Sequence, residues 1–224
     1  MQAQRAIVVP SALFLDVRQH MTMESASIVP TKDLIALRAK RDRLQTAIGR
    51  NRSQQWCLRL WASFIKARDG YRCVNCGAAT TIHAHHVVRQ TLYPWGRYEL
   101  GNGITLCDDC HRKVHEQFNG RPDLLQPLGA LGGDDQDEWA YLYGLLSDDA
   151  VDRVIDRDEF YYLGDFMLKF FMKCQGYEHL YELVAQGKLT RIRFAHEIWR
   201  SMPEEFYKNV IPQMLAPNHF SING

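Results

Sequence analysis

Two cysteine pairs, Cys73-x-x-Cys76 and Cys107-x-x-Cys110, stand thirty residues apart and are the first residues whose spacing suggests chemistry. Four thiolates in two such knuckles can close a tetrahedral shell around zinc, and a short segment that cannot build a core uses the ion in place of one. Between the knuckles runs Ile82-His83-Ala84-His85-His86-Val87-Val88, and just after the second come His111 and His115. Imidazole is both a common ligand for transition metals and the side chain that titrates nearest neutrality. His111 and His115, four apart, share one face of a helix that opens at the second knuckle, a spacing suited to chelation. On an extended strand His83 and His85 share one face, and His86 shares the other with Ile82 and Ala84. A bend or bulge there would re-aim His85 and His86 toward one cleft. Without such a role His83 reads as an exposed strand histidine.

The elements that must position these residues are legible on either side. The first thirty residues, with Pro10 and Pro30, read as an arm. A helix is predicted from Thr31, carried by Leu34, Ile35, Leu37, Leu44 and Ile48 and stopped at Gly49. Ser53 is placed to cap a second helix whose stripe Trp56, Leu60, Trp61, Phe64 and Ile65 reads as core, with a stop at Asp69-Gly70. Gly120-Arg121-Pro122 and Gly129 to Gly133 read as a linker. Beyond them Trp139, Tyr141 and Tyr143, then Phe160, Tyr161, Tyr162, Phe166, Phe170 and Phe171, predict a helical region packed through its aromatics. Three parts are expected: a basic N-terminal arm and helix over 1–52, the chemical module over 53–120, and an acidic, aromatic helical region over 121–224.

Composition sets the wider limits. The 224 residues, 46% hydrophobic and 24% charged, are those of a globular protein able to bury a core. A net charge of +1 excludes a uniformly basic nucleic-acid coat, yet the charge is unevenly spread. Residues 31–72 hold eleven Lys and Arg against three Asp, whereas 134–165 hold eleven acids against two Arg. The first segment could face phosphate; the second is unsuited to it. No membrane helix and no signal-peptide pattern is visible, so a cytoplasmic protein is expected. In a reducing compartment the paired cysteines point to metal and not to disulfides, leaving Cys57 and Cys174 over.

Taken together, Asp69-Gly70-Tyr71-Arg72-Cys73-x-x-Cys76-Gly77, His85-His86-Val87, Asn102-Gly103-Ile104-Thr105-Leu106-Cys107-x-x-Cys110-His111 and His115 resemble the zinc-stapled branch of the HNH endonucleases. The three letters correspond to His86, Asn102 and His111, and the resemblance runs from about Trp56 to Phe118. It implies an α+β, mainly α fold around a ββα-metal module with a four-cysteine zinc site, flanked by helices. It implies His86 as general base and Asn102 as the brace of the hairpin loop, although in some relatives the equivalent amide reaches the metal. By similarity to the colicin-type members, His85, His111 and His115 are the ligands of the catalytic cation. Many relatives carry Asp where this chain has His85, so the donor set is richer in nitrogen; Mg²⁺ or Mn²⁺ is expected, with Ni²⁺ or Zn²⁺ as alternatives.

The implied activity is metal-dependent hydrolysis of DNA phosphodiesters, by nicking or double-strand cleavage, leaving 5′-phosphate and 3′-hydroxyl ends. Arg72, Arg89, Arg97, Arg112 and Lys113, inside or beside the module, are the expected phosphate contacts. The setting implied is bacterial or phage defence or restriction, with a protein partner that recruits or restrains the enzyme. Two other readings stay open at this point: a non-catalytic zinc-stapled adaptor for nucleic acid or protein, and a nuclease acting on RNA.

Overall fold

The computed structural model describes residues 31–90, 93–115, 136–165, 168 and 178–202. The arm over 1–30, the Gly-rich linker, Phe166, Phe170, Phe171 and Cys174 lie outside the described residues. The described chain runs α1 (Thr31–Gly49), α2 (Gln54–Arg68), β1 (Ile82–His86), β2 (Gly103–Cys107), α3 (Asp108–Val114), α4 (Gln136–Asp152), α5 (Arg157–Phe160), α6 (Glu178–Ala185) and α7 (Arg191–Ser201), with 3₁₀ turns at Pro94–Gly96 and Leu100–Asn102. The fold is α+β and mainly helical, with one two-stranded sheet. No described helix is long and apolar enough to cross a membrane.

The helical signals act locally. Ser53 caps α2 by accepting a hydrogen bond from the Trp56 backbone N–H, and α2 ends where Asp69 leaves helical geometry and Gly70 takes φ +71°. One face of α2 buries Cys57, Trp61, Phe64, Ile65 and Arg68. Against that face lies an antiparallel hairpin in which Ile82 pairs with Cys107 and His86 with Gly103. Gly103 is required here: a Cβ would sit 2.5 Å from the Trp61 ring.

Helix and hairpin are locked by a buried charged hub. The Arg68 guanidinium, fully buried, donates to Asp69 Oδ1 at 2.7 Å, to the Leu100 carbonyl at 2.5 Å and to the Gly103 carbonyl at 2.6 Å. Asp69 Oδ2 accepts the Thr105 N–H at 2.8 Å. Burying two charges is costly unless each is paired and hydrogen-bonded, and here every Arg68 guanidinium nitrogen and both Asp69 oxygens have a partner. Its position at the end of α2, just before the first knuckle, fixes the angle at which the hairpin leaves the helix.

The aromatic region after the linker is part of the same core. Trp139 on α4 and Trp199 on α7 pack edge to face with centroids 4.6 Å apart, and both are buried. Tyr161 lies under Arg68, 4.1 Å from guanidinium carbon to ring centroid. Tyr161 and Tyr162 fall outside the helices, and the Tyr162 carbonyl accepts the Gly101 N–H at 2.7 Å.

The acidic segment lies against the basic one. Glu159 receives Arg38 through Nε at 2.7 Å and Nη2 at 2.8 Å, and Arg41 through Nη1 at 2.7 Å. Asp149 pairs with Arg72, and Arg153 donates to the Arg68 carbonyl. Three of the eleven cations read in 31–72 are thereby paired with the acidic segment, and the charge separation suggested by the sequence is partly closed by the fold.

Candidate active site

Two clusters of metal-binding atoms form on the hairpin module. Cys73, Cys76, Cys107 and Cys110 bring their sulfurs within 4.8 Å of one another, and Cys76 and Cys107 are 3.6 Å apart. Sulfurs about 2.3 Å from a tetrahedral zinc lie about 3.8 Å from each other, so the spacing fits the ion. The chemistry of the donors fits as well. Cys107 ends β2 and precedes α3; its thiol is held down to about 7, first by the Cys110 backbone N–H. Cys110 is pushed up to about 12, first by burial. Four thiolates are not stable together without a cation, and zinc supplies it. Asn75 donates to Cys110 Sγ at 3.3 Å and accepts from Tyr141 of α4 at 2.7 Å, tying the knuckle to the aromatic region.

The second cluster is made of imidazoles. His85, His111 and His115 bring ring nitrogens within 4.8 Å of one another. Ring centroids are 5.1 Å apart for His85 and His111, and 4.8 Å for each of them to His115. His85 comes from β1, His111 from α3, and His115 from the residue that ends α3, one turn on. All three are biased toward the neutral ring that a cation needs. Burial lowers His85 well below the usual imidazole value, and burial followed by the neighbouring His111 brings His115 to about 4. His111 is lowered first by burial too. Nitrogen donors at this spacing suit a borderline divalent ion.

β1 stays regular through His86, so no bulge re-aims the pair and His86 faces away from His85. It stacks on Trp61 with centroids 4.0 Å apart and planes 6° from parallel. His86 Nε2 lies 3.0 Å from the Arg97 carbonyl. A carbonyl can only accept, so Nε2 carries the proton and Nδ1 keeps the free lone pair. Burial lowers this ring as well, leaving it neutral at pH 7.

Asn102 is wholly buried and spans the loop between the strands. Its Nδ2 donates to the Val88 carbonyl at 2.9 Å and to the Gly96 carbonyl at 3.1 Å, while Oδ1 accepts Val88 N–H at 2.9 Å and the Tyr143 hydroxyl at 3.3 Å. With both acceptor positions of Oδ1 filled, this amide braces the loop and does not reach a metal. The braced residues run directly into Arg97, whose carbonyl holds His86.

Residues 73–117 match the family model described as HNH endonuclease. This segment is an HNH domain. The match covers less than half of the chain, and neither a curated protein nor a solved structure matches. The HNH domain supports a nuclease, hence a hydrolase with a nucleic-acid substrate and divalent metal sites, the four-cysteine cluster fitting structural zinc.

The five basic residues singled out by sequence divide around this domain. Arg112 and Lys113 are exposed and, with Asp109, His111 and His115, line an open cavity of about 570 Å³ beside the imidazole cluster. Arg112 also pairs with Asp109. Arg72 is held by Asp149, Arg89 is buried, and Arg97 is half-buried with Nε donating to the Pro94 carbonyl. His83 is exposed; its Nε2 lies 2.5 Å from Asp108, and its ring is 5.6 Å from that of His111. Sequence reasoning read Trp61 as core and missed its place beneath His86. It also missed the Arg97 carbonyl and the Tyr143 hydroxyl, since nothing local marks a residue that acts through its backbone or across a distant contact.

Proposed function

We propose that the chain is a metal-dependent DNA endonuclease that cleaves one or both strands, leaving 5′-phosphate and 3′-hydroxyl ends. In this reading His86 Nδ1 takes the proton from the attacking water, with the ring fixed by the Arg97 carbonyl and the Trp61 stack. Asn102 is a positioning residue that keeps the Arg97 loop in place. His85, His111 and His115 would hold a divalent ion, Mg²⁺ or Mn²⁺, with Ni²⁺ or Zn²⁺ also suited to a three-nitrogen donor set. When bound, such an ion offsets charge on the phosphate and stabilises the leaving oxygen. Cys73, Cys76, Cys107 and Cys110 would hold a structural zinc. Arg112 and Lys113 would meet the phosphate backbone at the cavity, while Arg72, Arg89 and Arg97 serve the fold around it.

The observation that carries the reading is the convergence of three imidazoles on one cluster, followed directly along β1 by His86, on the strand's other face, whose free nitrogen is set by a backbone carbonyl. The setting we assign, bacterial or phage defence or restriction in the cytoplasm with a protein partner, rests on the domain type alone. The domain assignment 1–52, 53–120 and 121–224 is proposed as a division of roles, within one shared core.

The test is conversion of supercoiled plasmid to nicked or linear form with Mg²⁺ or Mn²⁺. His86→Ala should lower the rate by about 10²- to 10⁴-fold while leaving the fold intact. Unchanged cleavage by that variant would remove His86 from its role. A wild-type protein that holds zinc, binds DNA and cleaves neither DNA nor RNA would leave only an adaptor.

A further inference from the structure

The positive charge of residues 31–72 sorts into two groups. Arg38, Arg41, Arg68 and Arg72 are paired with acids. The other seven, Lys32, Lys40, Arg43, Arg50, Arg52, Arg59 and Lys66, form no ion pair among the described residues. They are not scattered. Lys40 Nζ donates to Ser63 Oγ at 3.0 Å across the α1–α2 interface. The guanidinium carbons of Arg43 on α1 and Arg59 on α2 lie 5.6 Å and 5.2 Å from the centroid of the same Trp56 ring. Lys32 precedes Arg43 by eleven residues on the same face of α1, and Arg50 and Arg52 are exposed in the turn that connects α1 to α2. Lys66 follows Arg59 by seven and extends the row away from that turn.

This row lies away from the cleft. Helical spacing puts Trp56, Arg59, Ser63 and Lys66 on the face of α2 opposite Trp61, Ile65 and Arg68, the face that meets the hairpin. α2 contains no acidic residue, and Asp42 on α1 is paired with Arg41. Arg43, Arg50, Arg52 and Arg59 are exposed. From Arg59 to Lys66 α2 rises about 10 Å, and from Lys32 to Arg43 α1 rises about 16 Å.

We propose that this groove between α1 and α2 is a second nucleic-acid surface, which grips the phosphate backbone of a duplex segment separate from the one being cleaved. The proposal deepens the nuclease reading and rests on it for the choice of polyanion. Like charges gathered on one indole repel each other in the free protein, and a polyanion relieves that repulsion. Duplex DNA offers about one charge per 1.7 Å, so a straight row of cations meets phosphates throughout. A protein partner would be expected to need an apolar centre, and this row has only one half-buried indole at its middle. The consequence is tethering: the row holds the enzyme on its substrate without touching the reacting bond.

Binding of the full chain to a short fluorescein-labelled duplex, without added divalent ion, tests this across a salt series from about 50 to about 200 mM. Arg43→Ala/Arg59→Ala should weaken binding about tenfold and reduce the slope of log K against log salt by about 2. Arg50→Ala/Arg52→Ala, confined to the exposed turn, should reduce the slope comparably without disturbing packing, and Arg43→Lys/Arg59→Lys should restore it. Hydrolysis of bis(p-nitrophenyl) phosphate should be unaltered in all of them. The control Lys188→Ala/Arg200→Ala removes the same charge from exposed positions beside α6 and on α7 and should change the slope less. Wild-type slopes in both alanine variants would overturn the proposal. So would wild-type binding to phosphatidylserine vesicles or polyglutamate that equals duplex binding and is lost in the same variants. Absent cleavage with intact, stripe-dependent duplex binding would instead sink the nuclease reading and leave this surface standing.

Discussion

The sulfur cluster and the imidazole cluster share one hairpin and one short helix, yet they are built in different ways. The cysteines come from two knuckles and are further tied by Asn75 and Tyr141, with three of the four buried. The imidazoles lie beside an open cavity, and two of their three rings are only half-buried. Thiolates gathered without a cation repel one another, so their ion belongs to the fold; neutral imidazoles gather without that penalty, so theirs can come and go. The difference teaches that α3, a helix of seven residues, joins two clusters of different character by carrying Cys110 toward one and His111 toward the other.

The comparison can be broken most severely at sulfur. Cys107→Ser should abolish zinc retention and native near-UV dichroism, since structural zinc contributes on the order of 10 kcal/mol, as much as the whole stability of a domain. A folded, zinc-free Cys107→Ser protein would contradict the assignment of that ion to the fold. The analogous change at His111 or His115 should leave the fold standing.

Next in size is Asn102→Ala. It removes four hydrogen bonds from a buried loop and should cost roughly 3–5 kcal/mol in urea unfolding, with a matching loss of cleavage because the Arg97 carbonyl no longer orients His86. A loss below about 1 kcal/mol would mean that the loop holds itself.

The smallest effect sharpens the imidazole side. Three imidazoles of ordinary value would each be half protonated at pH 6.5 and together weaken cation binding about eightfold relative to alkaline pH. Here His85, His111 and His115 are all lowered, His115 to about 4, so their lone pairs stay available as pH falls through 6.5. Protonation should then compete only further into acid. Titration calorimetry with Mn²⁺ between pH 7.5 and 6.5 should show about twofold change or less; a roughly sixfold fall would place the rings in ordinary solvent.

What could be read from the sequence was what local rules govern. The caps and stops of α1 and α2, the knuckle spacing and the alternation along β1 depend on residues a few positions apart, and the structure contains them. The expectation that a bulge turns His85 and His86 to one side fails because β1 keeps its regular pairing to the end. Arg72 illustrates what pattern cannot reach. Beside a knuckle it reads as a phosphate contact, and its ion pair with Asp149, two helices further on, has no local signal. The same holds for Glu159 with Arg38 and Arg41, and for Tyr143 with Asn102. Each depends on how distant segments pack, and opposite charge along a chain does not say which residues will meet. The aromatic region looked separate because a Gly-rich stretch precedes it, but its side chains close the core beneath the hub.

The central claim is that two cations with different duties occupy one module, and metal counting on the wild type and on His111→Ala/His115→Ala tests it most directly. After exhaustive dialysis and reloading with Mn²⁺, the wild type should hold one zinc and one manganese per chain, and the variant one zinc and no manganese, with plasmid cleavage following the manganese. Loss of zinc together with manganese in the variant, or cleavage persisting without the second ion, would contradict the account.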